Sequence, residues 1–280
     1  MTNILFYNAA TGGAAVAQAT DNEYGETQEF NGGSFSAGWT HIADQQDLLF
    51  YNGATGAALT GRLDQGNFSA EDTYQEGFFA TGWTHVTWMS YNLLFYKAET
   101  GEAAVVSRNG FNTVKSFGAG GFHTGWTHVV WSKAFGLFYN ASNGAATVAE
   151  EFDNHQTGQG FSVFNDVRKV TGYGPGSLPT GWTSIVAFGD GKLLFYNKID
   201  GSAAVGSVDQ SGYQTLQSFP SDAFARGWTH IAPAGGSVLF YNATDRSGQV
   251  GLSAPAVTFP SDSFGAWTHL AAEDDGPVIG

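Results

Sequence analysis

One pair of short stretches governs what this chain can fold into. Gly38-Trp39-Thr40-His41-Ile42 is followed a few residues later by Leu48-Leu49-Phe50-Tyr51-Asn52, and the pair returns along the chain. The Phe recurs at Phe6, Phe50, Phe95, Phe138, Phe195 and Phe240, and the Trp at Trp39, Trp83, Trp126, Trp182, Trp228 and Trp267. Six copies at a period of roughly 45 residues mean that one supersecondary unit is used six times.

The second copy shows what the unit is. Leu48 to Asn52 is an apolar, aromatic run ended by the turn cluster Gly53-Ala54-Thr55-Gly56. Ala57 to Leu63 follows, then a break at Asp64-Gln65-Gly66, then the polar run Asn67 to Tyr74. After the loop Glu76 to Gly82, Trp83 to Met89 is rich in β-branched and aromatic residues. Short strands at regular spacing, punctuated by glycine, are the all-β signal. No stretch keeps a helical period for ten residues, so no helix of consequence is expected.

Four strands per unit, six times, predicts a six-bladed β-propeller of four-stranded blades forming one domain over residues 1–280. The chain opens on a Leu-Phe-Tyr strand at Ile4 to Asn8 and closes on a Trp-Thr-His strand at Trp267 to Leu270. Each is half of a unit that is continuous elsewhere. Pairing the N-terminal strand with the C-terminal one would complete the last unit and leave neither edge open. Within a blade the Trp-Thr-His strand is expected innermost and the Leu-Phe-Tyr strand second. The third strand is expected to start near the Ala-Ala pairs such as Ala14-Ala15 and Ala103-Ala104.

Composition narrows the partners. The formal net charge is −14 with only 11 Lys and Arg. Such a surface repels phosphate backbones and anionic lipid, which argues against nucleic acid. No apolar run reaches the length of a membrane helix, so membrane insertion is not expected either. There is no cysteine, so neither disulfides nor redox chemistry indicates a compartment. Met1-Thr2-Asn3 runs straight into the first repeat with no leader pattern, and localisation, secreted or cytoplasmic, stays open.

Gly-Trp-Thr-His-Ile, a short loop with Asp190-Gly191, then Leu-Leu-Phe-Tyr, resembles the blade motif of tachylectin and tectonin propellers. The likeness covers all six repeats. It implies a propeller fold and a carbohydrate-binding lectin whose partners are glycans or glycoconjugates, with several weak sites adding up by multivalency. It assigns no sugar contacts by number and implies no cofactor.

The residues themselves offer several constellations. His41, His85, His128, His230 and His269 follow the repeated Trp-Thr, with Ser184 in the remaining place. Imidazoles at one height are weak metal-ligand candidates. The plainer reading has each His hydrogen-bonding a neighbouring blade. The six repeated tryptophans are more often core than sugar platforms. Trp88 and Trp131, just past the strand in repeats two and three, and Tyr173, in the long fourth repeat, are the candidate aromatic platforms. Turn residues Asn52, Asn140 and Asn197, with Asn8 and Asn242, could offer amides to a sugar or cap their own turns. Lys97 takes the Asn place in the third copy.

The fourth repeat is longer by about a dozen residues between Phe152 and Gly181, and it alone lacks the His. Long loops on a rigid scaffold often carry function, so Gly172 to Pro179 is expected to border a ligand-bearing face. Catalytic signatures are missing from the sequence, and nothing fixes the separation of the acidic residues Glu71-Asp72, Glu150-Glu151-Asp153 and Glu273-Asp274-Asp275, which are scattered in loops. A lectin is therefore the first expectation and an enzyme more doubtful. The alternatives are an enzyme with one site near that insertion and a protein-interaction scaffold docking a basic partner.

Overall fold

The computed structural model describes residues 1–44, 47–152, 166–252 and 256–274. Strands β1 (Thr2–Asn8), β2 (Gly13–Ala19) and β3 (Tyr24–Phe30) begin the chain. β4 (His41–Ala43), β5 (Leu48–Tyr51), β6 (Ala58–Asp64) and β7 (Asn67–Tyr74) form the second blade. The third is β8 (His85–Trp88), β9 (Asn92–Tyr96), β10 (Ala103–Ser107) and β11 (Thr113–Phe117). The fourth is β12 (His128–Ser132), β13 (Phe135–Tyr139), β14 (Ala146–Phe152) and β15 (Asp166–Tyr173). The fifth is β16 (Ser184–Phe188), β17 (Lys192–Tyr196), β18 (Ala203–Asp209) and β19 (Gly212–Phe219). The sixth is β20 (His230–Ala234), β21 (Ser237–Asn242), β22 (Ser247–Val250) and β23 (Val257–Phe259). β24 (His269–Asp274) returns to join β1, β2 and β3 in the first blade. The fold is all-β, six four-stranded antiparallel blades of a six-bladed β-propeller.

Strand order within each blade is that expected from the sequence, with the strand after Trp-Thr first, Leu-Phe-Tyr second, and third the strand that carries Ala-Ala in five of the six blades. The second strands are buried on both faces, so they read as unbroken apolar runs; Leu48, Leu49, Phe50 and Tyr51 are all fully buried. The fourth strands are mostly exposed and polar. They need only pair on one side, which relaxes their sequence.

The chain divides into two compact units. Met1–Gly82, Phe188–Asp190 and Ala225–Gly280 hold the first, second and sixth blades; Trp83–Ala187 and Gly191–Phe224 hold the third, fourth and nearly all of the fifth.

In the first unit β24 pairs antiparallel with β1, from Thr2 opposite Asp274 to Tyr7 opposite His269, with Phe6 opposite Leu270. One core cluster joins the first and sixth blades around Phe6, Leu239, Tyr241 and Phe264. Another joins the first and second around Tyr7, Phe35, Trp39 and Phe50. Each buried aromatic of this kind contributes roughly 1.5–3 kcal/mol of transfer free energy. The second unit repeats the scheme, with Trp126 and Phe138 in one cluster and Tyr139, Leu178 and Phe195 in the next.

The signature tyrosine fastens the next connection. The Tyr7 hydroxyl donates to the Ser36 carbonyl at 2.8 Å, Tyr51 to Ala80 at 2.7 Å and Tyr241 to Gly265 at 2.8 Å. In the second unit Tyr96 does the same to His123 at 2.7 Å and Tyr139 to Pro179 at 2.6 Å. Burial pushes the phenols of Tyr7, Tyr96 and Tyr241 up, and that of Tyr139 to about 12. A second anchor is the Phe35 N–H, which donates to the Gly12 carbonyl at 2.9 Å. A Cβ on Gly12, whose φ is 68°, would lie 2.1 Å from the Phe35 oxygen, so the anchor calls for glycine there.

The fourth repeat corrects one expectation. Tyr173 to Pro179 is the ordinary connection found in every repeat, because Leu178 N–H donates to Gly144 O at 3.0 Å as Phe35 does to Gly12. Tyr173 is the last residue of β15 rather than part of an insertion. The extra length lies between β14 and β15, and residues 153–165 are outside the described residues. The missing His is at Ser184 on β16, so insertion and lost His share a sequence repeat but fall in different blades.

Candidate functional site

The Trp-Thr-His stretch places its polar atoms by a fixed rule. In each of five copies the Thr hydroxyl meets the Nδ1 of the following His, at 2.8 Å for Thr40 and His41 and 2.9 Å in the others. Nε2 of His85 faces Thr127 O at 3.2 Å, that of His230 faces Thr268 O at 2.9 Å, and that of His269 faces Thr40 O at 3.2 Å. A carbonyl only accepts, so Nε2 carries the proton and Nδ1 accepts from the Thr hydroxyl. Burial holds His128 and His269 below the ordinary imidazole range, favouring that neutral form. In His85, His230 and His269 both ring nitrogens are thus engaged. Among the described residues no three His, Cys, Asp or Glu side chains gather as metal ligands.

Trp88 and Trp131 also differ from expectation. They lie inside strands, Trp88 ending β8 and Trp131 within β12, and both are 5% exposed. Trp131 stands opposite Gly136, whose missing side chain leaves the space its ring fills; a Cβ there would come within 2.1 Å of the indole. Neither ring offers a face to a ligand. Tyr173 is half-buried, and its hydroxyl accepts the Tyr213 N–H at 2.8 Å.

The turn asparagines are largely occupied. Asn52 Oδ1 accepts from the N–H of Ala54 and Thr55 at 3.0 and 3.1 Å. Asn140 accepts from Ser142 and donates to Gly125 O at 2.8 Å, which ties the turn to the stretch before Trp126. Asn197 Oδ1 accepts from Ile199 N–H at 2.9 Å. Where Lys97 replaces Asn, its ammonium lies 5.0 Å from the Trp83 ring centre and 3.5 Å from Glu102.

What the sequence reading missed is a cleft of about 270 Å³ in the second blade. Its walls include Ser36, Trp39, Asn52, Thr55, Thr73, Tyr74, Gln75 and Glu76. The stretch before β4 forms one wall and the turn after β5 another. The outer end of β7 supplies the third. The cleft is held open by its own turn, since Gly77 N–H donates to Thr55 O at 2.8 Å and Gly82 N–H to Gly53 O at 2.8 Å. Burial raises the Tyr74 phenol, with Asp72 adding to it, so it stays protonated. A small aromatic-walled hollow with hydroxyl, amide and carboxylate groups at its rim suits a compact polyhydroxylated ligand. The signal in the sequence was that the pairs Trp39 with Asn52 and Tyr74 with Glu76 belong to segments a blade brings together. A wider hollow of about 520 Å³ lies over Tyr24 and Phe259, but the Tyr24 hydroxyl is bound to Glu26 at 3.2 Å.

No family model and no curated protein sequence matches this chain. Solved structures do. The Pseudomonas aeruginosa periplasmic gluconolactonase PpgL superposes with a TM-score of 0.55 at 14% identity, covering 97% of this chain and 98% of that one. A chain of a nidogen/laminin complex gives 0.52 at 12% identity, with 98% of each covered. A candidate 6-phosphogluconolactonase from Bacteroides fragilis gives 0.54 at 10% identity, again with 98% of each covered. Likeness at these identities establishes the propeller fold alone.

Proposed function

We propose that this chain is a carbohydrate-binding lectin with a site in the second-blade cleft. The observation that supports this most is the cleft itself, with the half-buried Tyr74 in its wall and Thr55, Thr73, Gln75 and Glu76 around it. Sugar rings present apolar C–H faces and a girdle of hydroxyls. Aromatic walls take the faces, and amide and carboxylate groups take the hydroxyls. The resemblance of the repeats to tachylectin and tectonin blades points the same way. The −14 charge directs the choice toward neutral or basic sugars, because an acidic glycan would meet Glu76 and a repelling field.

A glycan array followed by calorimetry tests the reading. The wild-type chain is expected to bind a definable set of neutral glycans. A Gln75→Ala, Glu76→Ala variant should lose about tenfold or more in affinity, as loss of two polar contacts implies. Binding to no glycan, or undiminished binding by that variant, would overturn it. The likeness to PpgL and to the candidate phosphogluconolactonase sets a second arm. Incubation with gluconolactone should give no hydrolysis above buffer, and clear turnover would replace the lectin reading with an enzymatic one.

A further inference from the structure

One residue beside the cleft breaks the repeat. The position before the anchoring Phe or Leu of each connection is Ser34, Gly121, Ser177, Ala223 or Ser263 in five repeats and Phe78 in the other. Where the rest keep a small side chain, this repeat exposes a phenyl ring at 48% of its surface. Phe78 N–H donates to Gln75 O at 3.1 Å, so a tight turn carries the ring. The ring centre lies 4.5 Å from that of Tyr74 at 40° and 5.0 Å from that of Phe79, nearly edge-on. Tyr74 is itself a wall of the cleft, and Gln75 and Glu76 are the next two wall residues. The aromatic surface therefore runs without interruption from the cleft out to Phe78.

The contacts with Tyr74 and Phe79 cover only part of the ring, and the other repeats do without it, since this place tolerates serine. Tyr74 and Phe79 already pack without it. Its neighbours do not build a broad apolar patch of the kind that docks proteins. The turn is made of Gln75, Glu76 and Gly77, and a protein hot spot needs an apolar pocket sealed all round. A single ring set at the mouth of a polar, aromatic-walled hollow fits a ligand that extends beyond the hollow.

We propose that Phe78, with Tyr74 beneath it, forms a second sugar subsite continuous with the cleft. It stacks on the next ring of an oligosaccharide whose first ring sits in the cleft against Tyr74. This rests on the lectin reading and deepens it, making the second blade the site that prefers oligosaccharides.

The test compares a disaccharide or trisaccharide from the array with its own terminal monosaccharide, by calorimetry on the whole chain. Phe78→Ser installs the residue that three other repeats carry at this place, so the fold should persist, as an unchanged Tm would verify. The variant is expected to lose about tenfold in oligosaccharide affinity, the order of one aromatic stack, with monosaccharide affinity unchanged. Equal oligosaccharide binding by wild type and variant, or equal loss for both ligands, would overturn the subsite while leaving the lectin reading in place. A wild-type dimer in solution that Phe78→Ser turns into a monomer would also overturn it, assigning the ring to self-association. Wild-type protein that binds no sugar would instead remove the lectin reading, and the subsite with it.

Discussion

The backbone N–H of Thr268 donates to the carbonyl of Tyr7 at 2.9 Å. Residues from opposite ends of the chain are joined there as closely as neighbours in any other blade. The ladder continues through Leu270 opposite Phe6 and Ala271 opposite Leu5. An antiparallel strand from one terminus thus supplies the innermost member of a blade begun at the other.

Cutting that ladder should be costly. Truncation after Trp267 removes β24 and exposes the edge of β1, whose residues Ile4 to Tyr7 are fully buried. The loss should exceed about 4 kcal/mol, beyond what single substitutions usually reach. Ala271→Pro, which deletes one donor in the same strand, should cost roughly 3 kcal/mol. Chemical denaturation reads both, and a truncated chain as stable as the whole one would show that closure holds nothing together.

The Thr and His brackets predict a dependence on acid. His128 and His269 bind a proton less well in the folded chain than the ordinary 6.5. The unfolded chain then takes up more protons as pH drops, so this part of the stability is present above pH 6.5 and is lost as pH falls through the folded values. A His128→Gln, His269→Gln double variant should show a smaller fall in Tm between pH 7 and pH 5 than wild type. Zinc added at neutral pH should leave the wild-type Tm unchanged, and a rise of several degrees would contradict the tautomer assigned to these rings.

Glu273 works in the opposite direction. It is 4% exposed, its Oε2 accepts the Leu63 N–H at 2.8 Å, and its Oε1 has no hydrogen-bond partner. Burial first, then Asp47 and Asp44, push it up to about 8. A carboxyl raised on folding favours the folded state while protonated. That contribution is full below about pH 4.5 and disappears as pH rises through about 8. Glu273→Gln keeps the shape without the charge. It should match wild type at pH 5 and be more stable by about 1–3 kcal/mol at pH 9, as relief of a buried unpaired charge implies. Equal stability at both values would mean the carboxyl is not charged against its surroundings.

Much of this was legible in the spacing of a few residues. The recurrence of Phe and Trp gave the number of blades, and the split unit at the two ends gave the shared one, because strand pairing tolerates no half-finished sheet. Strand order followed from the chain order within a unit, with the apolar Leu-Phe-Tyr and Ala-Ala runs in the middle and the polar run at the edge. Trp88 and Trp131 were harder. A Trp late in a strand can face either way, and Trp131 turns inward because Gly136 across the ladder makes room. Local sequence carries that signal only when both strands are read together. The fourth repeat misled for another reason. A sequence repeat begins one strand away from where a blade begins, so neighbouring anomalies along the chain need not be neighbours in space. The second-blade cleft escaped because its walls come from three separated segments, none unusual by itself.

The pairing of β24 with β1 also sets a timetable for synthesis. As the chain leaves the ribosome, Ile4 to Tyr7 can pair with β2 on one side, but their other edge has no partner until residues 269–274 have been translated. An unpaired apolar edge is a template for aggregation, and contacts this distant in sequence form slowly. The nascent protein therefore holds this apolar strand half bare throughout the translation of every residue between β1 and β24.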